Sequence, residues 1–310
     1  MKFFLAKITV FGICLLLIFG ILAMIPSTPL RLGYLDGFLQ KYEIAMAIKQ
    51  PKIVVVGGSS VAFGIDSEMM ESKLNMPVVN MGLHAQLGLS FPLEQVKEVV
   101  KRGDVVLLAP EYLLGKPTKR MLQKISRYYP RANNYYSLTL AEVARSNIED
   151  THQRVLRKIK ESIRNVLTDK EVNIYAEDVF NSHGDMIGHL NEPQTMHPFT
   201  KMELEYRYWE GIEKINSFCK IMQDSGVTVY YSFPPYLDAA YNINEKIVAK
   251  IYEDLSKGLT IPILDQPKDI VYPRDLFYDT FYHLNQKGKE KRTQALILLL
   301  EKQLAADQLL

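Results

Sequence analysis

Short apolar runs that alternate with helical patterns are the feature that most constrains the fold of this chain. Most of the runs are rich in Val, Ile or Leu and are followed closely by Gly or Pro, which is typical of buried strands. The predicted strands are residues 52–56, 77–80, 104–109, 227–233 and 261–264. The predicted helices are residues 67–73, 90–102, 203–224, 242–258 and 286–305. Strands separated by helices predict an α/β domain with a parallel sheet of about five strands, covered on both faces.

The segment at about 113–200 breaks this alternation. It contains two helix-like stretches, at 139–149 and 151–168, followed by a polar tract. We expect a helical insertion that either forms a lid or acceptor-binding surface or is a packed helical excursion. The histidines of the tract do not have zinc-site spacing, so we expect them to be solvated loop residues. They are His183, His189 and His197.

Polar residues follow the first two predicted strands. They lie at the carboxyl ends of the strands, where binding and catalytic sites form in parallel sheets. After the first strand, glycines before Ser59 and Ser60 let the backbone turn sharply, exposing a hydroxyl beside N–H groups that can stabilise an oxyanion. After the second strand, Asn80-Met81-Gly82 allows a backbone N–H to approach a substrate oxygen closely. Taken alone, the first segment is by default an ordinary structural turn, and the isolated tripeptide of the second carries little information.

A third polar element, Asp279 to His283, precedes the final helix. An Asp close to a His can hold the imidazole in one tautomer and stabilise its protonated form. His283 would then be able to act as a general base towards a serine. Surface polarity is the alternative interpretation of such a pair on a loop.

In this order and spacing, the three blocks resemble the SGNH/GDSL hydrolase superfamily, which implies a flavodoxin-like sheet. By this resemblance Ser60 is the nucleophile, and Ser59, in the place of the family's Asp, is the fallback. The resemblance also makes His283 the base and Asp279 its orienter. The pair is four residues apart here, whereas the family's usual spacing is Asp-x-x-His.

The resemblance implies an oxyanion hole that includes the N–H groups of Ser60 and Gly82. The chain departs from the family after the third strand, where Glu111 replaces the expected Asn. A carboxylate repels an oxyanion unless it is protonated or paired, so we expect Glu111 to bind an acceptor hydroxyl or to hold His84. The candidate oxyanion and substrate-binding residues are Gly82, Asn80, Glu111 and Tyr112.

The N-terminal residues Ile8 to Ile25 contain no charged side chain. A helix of this length rises roughly 27 Å, about the hydrocarbon thickness of a bilayer. Lys2 and Lys7 precede the run and Arg31 is the first basic residue after it, which favours a cytoplasmic N-terminus. We therefore expect a single-pass membrane anchor; a cleaved signal peptide is the alternative.

This layout places residues 1–7 in the cytoplasm, the anchor at 8–25 and a juxtamembrane connector at 26–50. The SGNH-like domain, 51–310, then lies in the periplasm or outside the cell. A tethered domain of this kind resembles the DltD-like and polysaccharide O-acetyltransferase accessory proteins. The resemblance implies transfer of an acyl group, such as acetyl, to a surface or exported glycan, with a membrane-bound O-acyltransferase as partner. A tethered acyl esterase and a non-catalytic scaffold are the alternatives.

The composition of the chain excludes several kinds of partner and structural site. Lys and Arg number 37 against 35 Asp and Glu, and no basic run is present, so we expect no nucleic-acid partner. The two cysteines, Cys14 and Cys219, exclude a disulfide framework and a Cys-ligated zinc site. We expect no metal and no cofactor.

Overall fold

The computed structural model describes most of the chain, in two compact units. The described residues are 2–24, 33–126, 129–142, 145, 148–149, 151–152, 155–156, 179–195 and 202–309. The first unit comprises Met1–Leu32 and Tyr136–Asn173, and the second comprises Gly33–Tyr135 and Ile174–Leu310.

The first unit contains helix α1, Lys2–Met24. Large apolar side chains are exposed along it, among them Phe3, Phe11 and Leu16. Among the described residues, no helix has the combination of length and apolarity that a membrane crossing requires. The described residues between 140 and 156 are also helical, whereas 157–168 of the predicted second stretch lie outside the described residues.

The second unit is built on a parallel sheet. Its strands are β1 (Ile53–Val56), β2 (Val78–Asn80), β3 (Val105–Leu108) and β4 (Thr228–Tyr231), in the order β2-β1-β3-β4. The prediction of a parallel α/β sheet is confirmed, but within the described residues the sheet has four strands rather than about five. At 261–264 the chain forms only one parallel bridge, between Ile263 and Tyr231. Pro262 accepts a hydrogen bond there and has no N–H to extend the ladder.

Helices cover both faces of the sheet, as expected from the alternation. The helices of this unit are α2 (Gly37–Ala47), α3 (Ser59–Gly64), α4 (Ser67–Leu74), α5 (Ser90–Val99), α6 (Lys119–Ser126), α7 (Gly211–Asp224), α8 (Asp238–Gly258) and α9 (Gln286–Ala306). One core cluster joins alternate strand residues to α5, α7 and α8. The other cluster joins the remaining strand residues to α4 and α9. A short parallel pair, β5 (Tyr236–Leu237) with β6 (Val271–Tyr272), lies outside the main sheet.

Two boundaries differ from the sequence prediction for identifiable reasons. Helix α7 begins at Gly211 rather than 203, because the side chain of Asn244 bonds the backbone of Met202 and Leu204 and these residues are not helical. The described part of the predicted connector contains α2, whose Phe38 and Ala45 are buried, so it packs as part of the second unit. Residues 26–32 of that connector lie outside the described residues.

Candidate active site

The structure pairs His283 with Asp279. Nδ1 of the imidazole lies 2.7 Å from the Asp279 Oδ1, so Nδ1–H donates to the carboxylate and Nε2 is left as the basic nitrogen. The backbone N–H of Tyr278 donates to the carbonyl of His283 at 2.8 Å and closes the loop between them. This loop closure explains how a spacing of four residues still brings the carboxylate to the ring.

The His283 ring lies on helix α3, the helix that carries Ser60. It stacks on Phe63 with ring centroids 4.0 Å apart and 8° between the planes. Residues three apart on a helix are neighbours on its surface, so Ser60 lies one turn from the ring that supports the imidazole. The structure therefore brings the predicted base to the helix of the predicted nucleophile.

Ser60 itself is deeply buried. It is 1% exposed, and its Oγ has no hydrogen-bond partner within the described part of the chain. Ser59 is half-buried, and its hydroxyl donates to Glu111 at 3.4 Å. The hydrogen bond that would activate Ser60 towards His283 is thus not formed in this structure.

Glu111 fills the space between β1 and α3. Its Oε1 accepts a hydrogen bond from the N–H of Ser60 at 2.8 Å, and its Oε2 accepts one from the N–H of Gly58 at 3.1 Å. A Cβ added to Gly58 would clash with Oε2, so a larger residue here would force the end of the Glu111 side chain to move. Glu111 was expected to bind an acceptor hydroxyl or to hold His84, but its carboxylate is instead bound by these backbone groups.

Asn80 and Gly82 connect β2 to α3. Gly82 donates its N–H to the Asn80 Oδ1 at 2.9 Å, while Nδ2 of Asn80 donates to the carbonyl of Val61 at 3.0 Å. A Cβ on Gly82 would lie 2.6 Å from the Cβ of Val61, so the glycine is required for close packing. Both predicted oxyanion donors, the N–H groups of Ser60 and Gly82, therefore have acceptors within the protein.

The loop of residues 279–283 lies close enough to the loops after β2 and β3 for their groups to influence one another's pKa values. Burial, followed by the charge of His283, lowers the pKa of His84, which follows β2. Burial, followed by neighbouring tyrosines and Glu111, raises the pKa of Tyr282 well above its usual range. The loop of residues 279–283 is therefore within electrostatic reach of the loops after both β2 and β3.

Tyr112, predicted to bind substrate, lies in an aromatic cluster. Its ring centroid is 5.2 Å from that of Tyr236 and 6.1 Å from that of Phe233. Its hydroxyl is buried and has no partner among the residues the structure describes. Burial is the main reason that the pKa of Tyr112 is raised well above its usual range.

His189 packs beside the candidate site, a position that the sequence patterns did not predict. It was expected to be solvated, but it is 1% exposed, and its Nε2 lies 2.9 Å from the carbonyl oxygen of Leu284. Its ring lies 4.6 Å from that of Phe63, which His283 also contacts. Burial lowers the pKa of His189 to about 4, so the ring is neutral and Nε2–H is the donor. No spacing signal marks it, because its partners come from distant segments.

Other residues of the described tract at 179–195 also contact the rest of the second unit. Asp185 is fully buried and accepts hydrogen bonds from Ser67 and from the Nδ2 of Asn80. His183 is half-buried with Nε2 3.2 Å from Glu71, and His197 lies outside the described residues. Across the described residues, no group of three or more His, Cys, Asp or Glu is arranged to hold a metal ion.

Comparison with known proteins adds no family assignment to this geometry. Neither the scan against protein-family models nor the search of curated proteins found a match to the chain. The resemblance to the SGNH/GDSL hydrolases thus stays a prediction made from the sequence.

Proposed function

We propose that this protein is a serine acyltransferase that moves an acyl group, such as acetyl, to a glycan hydroxyl through an acyl-serine intermediate. The observation that carries the proposal is the hydrogen bond between Asp279 and His283, placed on the ring of Phe63 in the helix of Ser60. A carboxylate-oriented imidazole beside a serine is the arrangement that serine acyl transfer requires.

The first half-reaction acylates the serine. His283 Nε2 takes the proton of Ser60 as Oγ bonds to the acyl carbonyl carbon. The resulting tetrahedral intermediate collapses when the bond to the leaving group breaks, and the leaving group takes the proton from His283. Substrate binding must close the contact between Ser60 and His283 for this step to begin.

The second half-reaction transfers the acyl group. An acceptor hydroxyl gives its proton to Nε2 and attacks the acyl carbon, and Ser60 leaves and recovers a proton from His283. Water in place of the glycan gives an esterase, which uses the same residues. The acceptor that reaches the acyl-enzyme therefore separates these two activities.

The experiment is turnover of p-nitrophenyl acetate with and without a glycan acceptor. We expect slow release of p-nitrophenol that accelerates when the acceptor is added, and loss of turnover in Ser60→Ala. Fast release of p-nitrophenol at a rate that does not change when the acceptor is added would identify an esterase instead. Unchanged turnover in a folded Ser60→Ala protein would remove the serine mechanism.

A non-catalytic scaffold is the second candidate, and the position of Glu111 favours it. Its carboxylate binds the N–H groups of Gly58 and Ser60, and an acyl-transfer site needs the Ser60 N–H free to bind the oxyanion. A scaffold would bind partner or glycan without turnover, and substitution of Ser60 would leave that binding unchanged.

Membrane attachment through α1, an extracytoplasmic location and a membrane-bound O-acyltransferase partner are further parts of the proposal. The exposed apolar side chains of α1 support attachment to a lipid surface. Full-length protein in membranes should resist extraction with alkaline carbonate and should co-purify with the acyltransferase in mild detergent. Quantitative release by carbonate would contradict the attachment.

A further inference from the structure

We infer that Glu111 is a removable internal ligand, which fills the oxyanion position in the resting protein and leaves it when an acyl carbonyl oxygen binds. This inference rests on the proposed function and specifies how the site is controlled. It concerns Glu111 itself, which takes the place where the resembling family has an Asn.

The contacts of Glu111 identify the position it fills. Two backbone N–H groups and the hydroxyl of Ser59 all donate to this one carboxylate, which is only 4% exposed. Charge-assisted bonds of this kind stabilise a negative oxygen, and a tetrahedral acyl intermediate formed at Ser60 needs the same kind of donors. The carboxylate thus holds the Ser60 N–H, one of the two donors of the predicted oxyanion hole.

The two anions cannot share these donors. A second negative oxygen placed against the Ser60 N–H would meet the carboxylate at close range, and like charges there repel. Acylation therefore requires that the Glu111 side chain first move away. In the resting protein this suppresses hydrolysis, because no oxyanion can form while the carboxylate stays.

The group that has to move is the end of a flexible side chain, and it fits the space that Gly58 leaves by having no Cβ. The Ser60 hydroxyl, which has no partner among the described residues, lies on a residue whose N–H already binds the carboxylate. A buried nucleophile beside an occupied oxyanion position is what a resting, closed site would contain.

The test is the second-order rate of labelling of Ser60 by a fluorophosphonate, which places a phosphonyl oxygen where the oxyanion forms. Two variants remove the carboxylate by different routes. Glu111→Gln removes its charge at nearly constant volume, and Gly58→Ala adds a Cβ that would lie 2.3 Å from Oε2 and expels the side chain. We expect both to label about 10- to 100-fold faster than wild type.

Glu98→Gln is the matched control. Glu98 is also a carboxylate with three donors, but it lies on α5 and these donors, Tyr42, Tyr129 and Arg131, are not site residues. We expect its labelling rate to equal that of wild type.

Equal or slower labelling in both variants, with Ser60 still labelled in wild type, would overturn the inference and leave the proposed function standing. A Glu111→Gln protein that no longer folds would also overturn it, because a removable ligand cannot be required for the fold. Absence of labelling at Ser60 in every protein would instead remove the proposed function.

Discussion

The imidazole of His283 lies nearly parallel to the ring of Phe63, with 4.0 Å between their centroids. This stack ties the loop before α9 to helix α3. Phe63 has no exposed surface, so the ring that supports the imidazole is itself held in the core. The position of the predicted base is therefore set by packing as well as by its bond to Asp279.

Removing the Asp279 carboxylate should abolish the orientation of His283. Asp279→Asn keeps the shape of the side chain but cannot accept from Nδ1 as a carboxylate does, and we expect turnover to fall by roughly 10²- to 10⁴-fold. The measurement is the kcat for p-nitrophenyl acetate. Asp275→Asn, on an exposed residue of the same region, should leave kcat unchanged. A loss equal in both variants would contradict a specific role for Asp279.

Phe63→Leu tests whether the stack positions the base. Loss of the ring should lower kcat with little change in KM, because Phe63 acts through His283 and not on the substrate. Phe91→Leu is the control, since Phe91 is also fully buried but packs against Phe38 and Tyr135. Both changes should cost about 1–2 kcal/mol of unfolding free energy, whereas only Phe63→Leu should lower kcat. Equal activity losses would show that the stack is structural only.

The buried His189 should make the free energy of unfolding depend on pH. The folded protein holds its pKa at about 4, mainly through burial, whereas an unfolded His takes up a proton near 6.5. The unfolded state therefore binds more protons between these values, and the unfolding free energy should fall by up to about 3 kcal/mol as the pH drops through this window.

Two variants test this assignment by urea unfolding from pH 4 to 7. His189→Gln retains a donor for the carbonyl of Leu284 and should remove most of that pH dependence while keeping activity. His189→Leu should also remove it, but should reduce activity because the donor is lost. An unchanged slope in both variants would show that other groups cause it; His84, whose pKa is also lowered, is the first to examine.

Gly82 tests the close packing of β2 against α3. In Gly82→Ala the added Cβ would lie 2.6 Å from Val61 and 2.7 Å from the Ala62 nitrogen. We expect a loss of about 1–3 kcal/mol of unfolding free energy. Gly64→Ala is the control, because its nearest contact would be an ordinary 3.6 Å to Leu284. Equal melting temperatures for Gly82→Ala and Gly64→Ala would contradict the packing argument.

The sequence predicted the sheet well because its signals are local. The runs that became β1 to β4 carry their own hydrophobicity and their own Gly or Pro terminators, and Asp66, next to the predicted helix, caps α4. The pairing of Asp279 with His283 is also local, since one loop holds both residues. At 261–264 the same signals predict a strand, but a single bridge forms there. Pro262 has no N–H with which to extend the ladder.

The remainder of the site depends on contacts between distant segments. The sequence around His189 is typical of a polar loop, but the residue is buried against Leu284, which lies 95 positions further along the chain. Glu111 was recognised as a departure, yet its partners could not be predicted, because side-chain direction after β3 is decided by the space that Gly58 leaves. No periodicity or spacing encodes either contact.

The most direct test of the serine mechanism is the mass of the acyl-enzyme. The protein is incubated briefly with p-nitrophenyl acetate, quenched in acid and digested, and the acetylated peptide is identified by mass spectrometry. We expect one acetyl group on Ser60, absent from Ser60→Ala and retained in Ser59→Ala. Acetylation of Ser59, or of neither serine while turnover continues, would contradict the mechanism.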